Sequence, residues 1–334
     1  MVQLVNVMSE TNDPEVNEIL YESPATIPLT PSLAAEQQRQ LAEQAAEEVV
    51  PEEPAEPPIV KLTKVCKWFT DARTKMRVDV LKNFKLEVKK KGEFLVLLGP
   101  SGCGKSTVLS MISGLQLPDS GVVEVFGNTI TGPTPEAATV PQAYTCFPWR
   151  TAVENVEFGL CITGMPRKQR REVAIEYLSK VGLEDRAHAY PKQLSGGMQQ
   201  RVAIARTLAM KLPIVLMDEP FGALDAQTRA DMQQMLLQLW EEEKNNIIFV
   251  THDITEALML GDRVLVFPPR PVEEDNYFVS DDLNSRLGKE RPPSLVREES
   301  FLQLYDELLA ELKKKPHRPP APEEAEPSSK SRKR

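Results

Sequence analysis

Apolar and polar residues first alternate and then run together along this chain. Ile59 to Val65 and Lys85 to Val88 alternate with the two-residue period of strands in an antiparallel sheet. Phe94 to Leu98, Ile214 to Met217 and Ile247 to Val250 are unbroken apolar runs, and Arg263 to Phe267 is similar. Such short, uniform runs fit strands buried on both faces. Between them the period lengthens. In Arg171 to Val181, the residues Val173, Tyr177, Leu178 and Val181 share one helical face. In Ala226 to Trp240, Met232, Met235, Leu236 and Leu239 do the same, with Asp225 placed to cap the start. Apolar strands alternating with helices predict an α/β fold with a mostly parallel core sheet and an antiparallel β subdomain. No strand pattern appears from about 152 to 210, which predicts an inserted helical subdomain.

The two ends differ from this middle. Residues 1–58 are rich in Glu, Pro, Ala and Gln and read as a disordered acidic leader, because such a composition buries too little apolar area to offset its ordering entropy. Within it, Ser32 to Val49 favours a transient helix. Residues 316–334 read as a disordered basic tail. Between the middle and the tail, residues 273–315 form a C-terminal extension. There Asp275 to Ser285 is irregular, and Ser300 to Leu312 is an amphipathic helix expected to cover the core.

The charge of −9 reflects mainly the leader. Residues 1–58 hold twelve acids against one base, Arg39, so they carry −11 and the rest is nearly neutral at +2. The acidity therefore implies nothing about the partner of the folded part. No apolar run approaches the roughly 20 residues of a membrane span, and no signal-peptide pattern is expected at the start. Cys66, Cys103, Cys146 and Cys161 form no CxxC pair, so free thiols are expected rather than zinc or disulfides.

The chemistry lies at the ends of the apolar strands. Gly99-Pro100-Ser101-Gly102-Cys103-Gly104-Lys105-Ser106-Thr107 fits G-x-x-x-x-G-K-[ST], and it follows a buried strand and opens a helix over Val108 to Ile112. Its glycines let backbone N–H groups curl around phosphate oxygens, and the helix N-terminus favours negative charge. Lys105 is placed to bring a charge to the β- and γ-phosphates, and the Ser106 hydroxyl can ligate Mg²⁺. Asp218 and Glu219 end the strand Ile214 to Met217. The first is placed to hold Mg²⁺ and the second to polarise an attacking water. His252 ends a third core strand, where a γ-phosphate contact fits. Leu194-Ser195-Gly196-Gly197-Met198-Gln199 precedes a helix read over Val202 to Met210, giving a second set of open backbone donors. One nucleotide needs one such cradle. The second is explained if it completes a site on another copy of the chain.

These motifs together resemble the ATP-binding subunit of an ABC transporter, over about Ile59 to Pro271. The resemblance implies a P-loop NTPase fold, ATP and Mg²⁺ as cofactors, and an ATPase domain spanning 59–272. Gly99 to Thr107 resembles the Walker A loop, and Gln142 the Q-loop glutamine, which implies a catalytic and metal-binding role. Ser195, Gly196 and Gly197 lie in the segment that resembles the signature. Asp218 and Glu219 resemble the Walker B aspartate and the catalytic glutamate, Asp225 the D-loop, and His252 the switch histidine. Phe69 resembles the aromatic that stacks on adenine, with Trp68 as the neighbouring register. The resemblance further implies a head-to-tail dimer, most simply a homodimer, sandwiching two ATP molecules. It implies docking on two transmembrane permease subunits at the cytoplasmic face of the plasma membrane, with a solute-binding protein as an indirect partner and no nucleic acid.

Within the family the chain is most similar to the nitrate, sulfonate, taurine and bicarbonate importer group. Phe147-Pro148-Trp149, Phe221 to Arg229 and Asp262-Arg263-Val264 leading to Pro269-Arg270-Pro271 carry that similarity. Pro141 stands where the family usually has an aromatic. The function expected is ATP hydrolysis that energises solute import. The alternative is a soluble ABC ATPase acting as a mechanical or scaffold subunit. The Phe147 to Trp149 patch favours a membrane partner, and the signature disfavours a P-loop kinase.

Overall fold

The structure, a computed structural model, describes residues 57–143, 145–269, 272–273, 277–280 and 283–314. The expected leader up to residue 56, its transient helix and the tail 316–334 lie outside the described residues.

Two sheets organise the chain. The first has the order β10-β2-β1-β4-β5, built from β1 (Val60–Thr70), β2 (Arg77–Val88), β4 (Ser120–Val125), β5 (Asn128–Thr129) and β10 (Val272–Glu273). Its pairs are antiparallel except β10 with β2. β1 runs past Val65, where the alternation stops. Register shifts fall between Leu62 and Val65 and again on both sides of Lys67, and Lys64 takes a φ of +49°. Bulges of this kind break the two-residue period while the pairing continues. The hidden extension matters, because it carries Phe69 out to the groove described below.

The second sheet has the order β11-β9-β3-β8-β7-β6. Here β3 is Phe94–Leu98, β6 Ala137–Val140, β7 Ile214–Asp218, β8 Asn246–Thr251, β9 Arg263–Val266 and β11 Phe278–Ser280. All pairs are parallel except β11 with β9. All five residues of β3 are buried, and they divide between two cores. Phe94, Val96 and Leu98 face the helices, while Leu95 and Leu97 face the first sheet. Burial on both faces is what erased their alternation.

Helix α1 (Lys105–Ile112) follows β3 directly, starting three residues before the expected Val108. Between β6 and β7 the described chain is helical: α2 (Ala152–Ile162), α3 (Arg167–Lys180) and α4 (Gly196–Leu208). α2 opens with a capping box, in which Thr151 and Glu154 satisfy each other's backbone N–H groups. α4 begins at Gly196, six residues before Val202, because the Ser195 side chain caps it. α5 (Ala226–Glu243) is capped by Asp225, as its sequence predicts. After β8 come α6 (Ile254–Leu260), α7 (Leu283–Leu287) and α8 (Glu299–Lys313). The 275–285 stretch is not wholly irregular, since β11 and the start of α7 lie in it. β11 is three residues long, too short for a period to register. α8 buries Phe301, Leu304 and Leu308 and packs on α6 and β9.

In register, Leu98 lies beside Thr251 and Asp218 beside Val250. The C-terminal ends of β3, β8 and β7 therefore stand side by side. That is the edge at which a parallel α/β sheet presents its loops to a ligand.

Candidate active site

The loop leaving β3 turns sharply because Gly99 leaves no room for a side chain. A Cβ there would lie 2.9 Å from both Cβ and O of Phe267. Gly102 and Gly104 take φ values of +78° and +118°, backbone that glycine adopts without cost. Gly104 is the N-cap of α1 and supplies no side-chain cap, so the first-turn N–H groups face outward for a ligand. Lys105 is 4% exposed. Its Nζ donates to Gly99 O at 2.7 Å and to Pro100 O at 2.9 Å, folding the loop over its own ammonium. Burial pushes the Cys103 thiol above its usual pKa, against the nearby Lys105 charge, so it stays protonated.

Asp218 Oδ1 accepts from Ser106 Oγ at 2.9 Å. Burial raises the Asp218 carboxyl above its ordinary pKa, the Ser106 bond opposes this, and the neighbouring Glu219 adds to the rise. Glu219 takes a φ of +44°, unfavourable for a residue with a Cβ. Its N–H donates to Val250 O at 3.0 Å, and its Oε2 lies 3.2 Å from His252 Nδ1. The Glu219 side chain is mostly buried, whereas that of His252 is half exposed.

A groove of about 360 Å³ joins these pieces. Gly102, Gly104 to Thr107, Phe69, Gln142 and Glu219 line it. Trp68 does not; the Arg77 guanidinium lies 3.9 Å from its ring centroid. Of the two, Phe69 is the one on the groove, and it is 40% exposed. Ser195, Gly196, Gly197 and Asp225 do not line the groove. They sit together elsewhere: Ser195 is exposed, and a Cβ on Gly197 would approach Thr228 Cγ2 to 2.9 Å. Asp225 accepts from Thr228 N and Thr228 Oγ1, both at 2.9 Å, which holds its carboxyl below the usual range.

Phe147 and Trp149 differ in exposure. Trp149 is 71% exposed. Phe147 is half-buried, edge-on to Phe158 at 4.7 Å, with the Arg206 guanidinium 5.5 Å from its ring centroid. The sequence patch is thus one exposed ring on one packed ring.

Three residues near His252, namely Thr251, Glu256 and Arg229, carry no site role expected from the sequence. Glu256 is buried and accepts from Thr251 Oγ1 at 2.6 Å, and Arg229 approaches it from α5. Burial pushes the Glu256 carboxyl up, against the Thr251 bond. The signal was present, since Asp253 followed three residues later by Glu256 has helix-capping spacing.

The ABC transporter family profile matches residues 81–222. An uncharacterised ABC transporter ATP-binding protein of Methanocaldococcus jannaschii is 53% identical over 240 residues, 71% of this chain and 88% of its own. The nitrate import ATP-binding protein of Synechocystis is 42% identical over 237 residues, 71% of this chain and 89% of its own. The taurine import ATP-binding protein of Chromobacterium violaceum is 49% identical over 221 residues, 66% of this chain and 85% of its own. Among solved structures, the dimeric post-hydrolysis state of an ATP-binding cassette bound to ADP and Pi aligns with a TM-score of 0.58. It is 37% identical and covers 66% of this chain and 97% of that one. This chain belongs to the ABC transporter family of ATP-binding proteins.

Proposed function

We propose that this chain is the ATP-hydrolysing subunit of a solute importer, working as a dimer on a partner permease. The observation that carries the chemistry is Glu219: a mostly buried carboxylate at the end of β7, on the wall of the P-loop groove and 3.2 Å from His252. In this reading the triphosphate lies in the P-loop with its charge met by Lys105 and the first-turn N–H groups of α1, and Phe69 stacks on the base. Glu219 takes a proton from the attacking water as its oxygen bonds the γ-phosphorus and the β–γ bridging bond breaks, releasing ADP and phosphate. His252 contacts the γ-phosphate beside it.

The donor set fits Mg²⁺. Ser106 and Asp218 present hard oxygens already brought together at 2.9 Å, and Gln142 lines the same groove. Among the described residues no cluster of three or more His, Cys, Asp or Glu forms an all-protein metal cage. This suits an ion that completes its shell with phosphates and water. When bound, the ion offsets phosphate charge.

Ser195 to Gly197 and Asp225 stand outside the groove of their own chain. This supports their use against the nucleotide of a second chain, most simply an identical one. The ATPase domain spans 59–272, with its helical subdomain at 152–210. The acidic leader, the extension 273–315 and the basic tail are additions to it. No helix among the described residues is long and apolar enough to cross a membrane. The import relatives support a peripheral subunit at the cytoplasmic face beside its permease. The relatives named for nitrate and taurine import support a small oxyanion or sulfonate as solute, bicarbonate included, delivered by a separate binding protein.

The test is Glu219→Gln, which keeps size and hydrogen bonding but accepts no proton. Hydrolysis should fall by about 10² to 10⁴, and size-exclusion chromatography with Mg-ATP should show a dimer that ADP does not support. Adding Ser195→Arg should abolish that dimer. A Gln variant that stays monomeric at saturating ATP and turns over at the wild-type rate overturns both the base and the dimer.

A further inference from the structure

The loop carrying His252 is held from behind by groups that take no part in the chemistry above. Thr251, the last residue of β8, is 2% exposed. Its Oγ1 accepts from Asp253 N at 3.0 Å and donates to Glu256 Oε2 at 2.6 Å. The Asp253 carboxylate in turn caps α6 through Thr255 N at 2.7 Å and Glu256 N at 3.3 Å. The residues on either side of His252 thus hang on one hydroxyl, and that hydroxyl hangs on Glu256.

Glu256 also faces a cation from another element. Arg229 sits in the first turns of α5, four residues beyond Asp225. Its Nη2 donates to Leu224 O at 3.0 Å, in the turn that carries Asp225. Its Nη1 lies 3.7 Å from Asp253 Oδ2, and its Nε 3.7 Å from Glu256 Oε1. One guanidinium therefore spans the Asp225 turn and both acids that follow His252.

This contact is poorly suited to a purely structural role. Nε of Arg229 is buried and makes no hydrogen bond, and Glu256 Oε1, which accepts from Gln233 Nε2 at 3.4 Å, lies just outside its bonding range. The Glu256 side chain keeps 7% of its surface in water and that of Arg229 32%, so the carboxylate bears most of the desolvation, which only close geometry repays. Hydrogen bonds of this type form near 2.9 Å. A relative movement of about 0.8 Å would close the gap. The two loops are joined by a contact that tightens when they approach.

We infer that Arg229 and Glu256 are positioning residues that couple the turn bearing Asp225 to the loop bearing His252, so that displacement of the first resets the second. The inference rests on the proposed function in one respect, that His252 serves turnover. It adds a route by which whatever contacts the Asp225 turn, in that reading the second chain, governs hydrolysis from outside the groove.

Steady-state ATP hydrolysis by the full-length chain tests it. Glu256→Gln keeps an acceptor for Thr251 and removes the charge; Arg229→Met keeps length and removes the cation. Each should lower kcat about tenfold, a typical size for neighbours in one network, with KM for ATP within about twofold of wild type. The double variant should be no slower than the slower single variant. Arg229→Lys, which restores charge without the planar fork, should recover part of the rate. Multiplicative losses, unchanged kcat or an effect confined to KM would overturn the coupling. If Glu256→Gln fails to fold, Arg229→Lys and Arg229→Met decide alone, since equal rates for the two refute a charge link. His252→Ala separates the two levels. Normal turnover in that variant refutes the role of His252 itself. Loss of turnover there, with wild-type rates in the Arg229 and Glu256 variants, refutes only the coupling.

Discussion

Ser106 Oγ donates to Asp218 Oδ1 across 2.9 Å, joining the first turn of α1 to the end of β7. Two oxygens that close, one of them a carboxylate, are the ligand type that a hard divalent cation takes. Chelating divalent metal should stop hydrolysis and let it resume when Mg²⁺ is restored. Ser106→Ala should raise the Mg²⁺ concentration needed for half-maximal rate, read from a Mg²⁺ titration at fixed ATP. An unchanged midpoint would remove Ser106 from the metal site.

Lys105 spends its charge on two backbone carbonyls, Gly99 O and Pro100 O. Lys105→Ala removes both bonds together with the charge offered to phosphate. Hydrogen bonds to charged groups contribute about 1.5–3 kcal/mol each. ATP affinity by calorimetry should therefore fall at least about tenfold, with turnover abolished.

Phe69 faces the groove, whereas Trp68 is covered by Arg77. Stacking a base on an aromatic ring contributes about 1–3 kcal/mol. Phe69→Ala should weaken ATP binding accordingly, and Trp68→Ala should leave it near wild type. The reverse ranking would move the base to the other face of β1.

Thr151 and Glu154 cap α2 reciprocally, with Thr151 N donating to Glu154 Oε2 at 2.8 Å and Thr151 Oγ1 to the same oxygen at 2.9 Å. Thr151→Ala should cost about 1 kcal/mol in a denaturant titration. Those two bonds, the backbone one first, hold the Glu154 carboxyl below its ordinary value of 4.5. The stabilisation is therefore present above that value and lost as pH falls through the lowered pKa. The stability difference between wild type and Glu154→Gln should be flat from neutrality down to about pH 4.5 and shrink below it.

Trp149 stands exposed on a base formed by Phe147 and Phe158. An exposed tryptophan of this kind suits contact with a partner. Trp149→Ser should leave the isolated subunit folded and its basal hydrolysis intact while reducing co-purification with the permease. Phe147→Ser should instead lower stability, because it removes a packed ring.

How much of this was legible in advance depended on how local each feature is. The P-loop, the acids at 218 and 219 and the cap at Asp225 are defined by residues within one turn of each other. Their spacing alone identified them, as did the apolar runs of β3, β7 and β8. β1 beyond Val65 was not legible, because bulges destroy the period that marks a strand. The helix starts at Lys105 and Gly196 came earlier than their apolar periodicity, because a cap rather than a hydrophobic face begins a helix. The choice between Phe69 and Trp68, the burial of Phe147 and the approach of Arg229 to Glu256 depend on which surfaces meet across long stretches of chain. Glu219 and His252 are 33 residues apart, yet their side chains come within 3.2 Å because β7 and β8 are neighbours in the parallel sheet. The order of residues is enough to say which chemical groups end each strand. It does not say which ends stand side by side, because strand order is set by how crossover helices pack on the sheet, and no local run of residues encodes that.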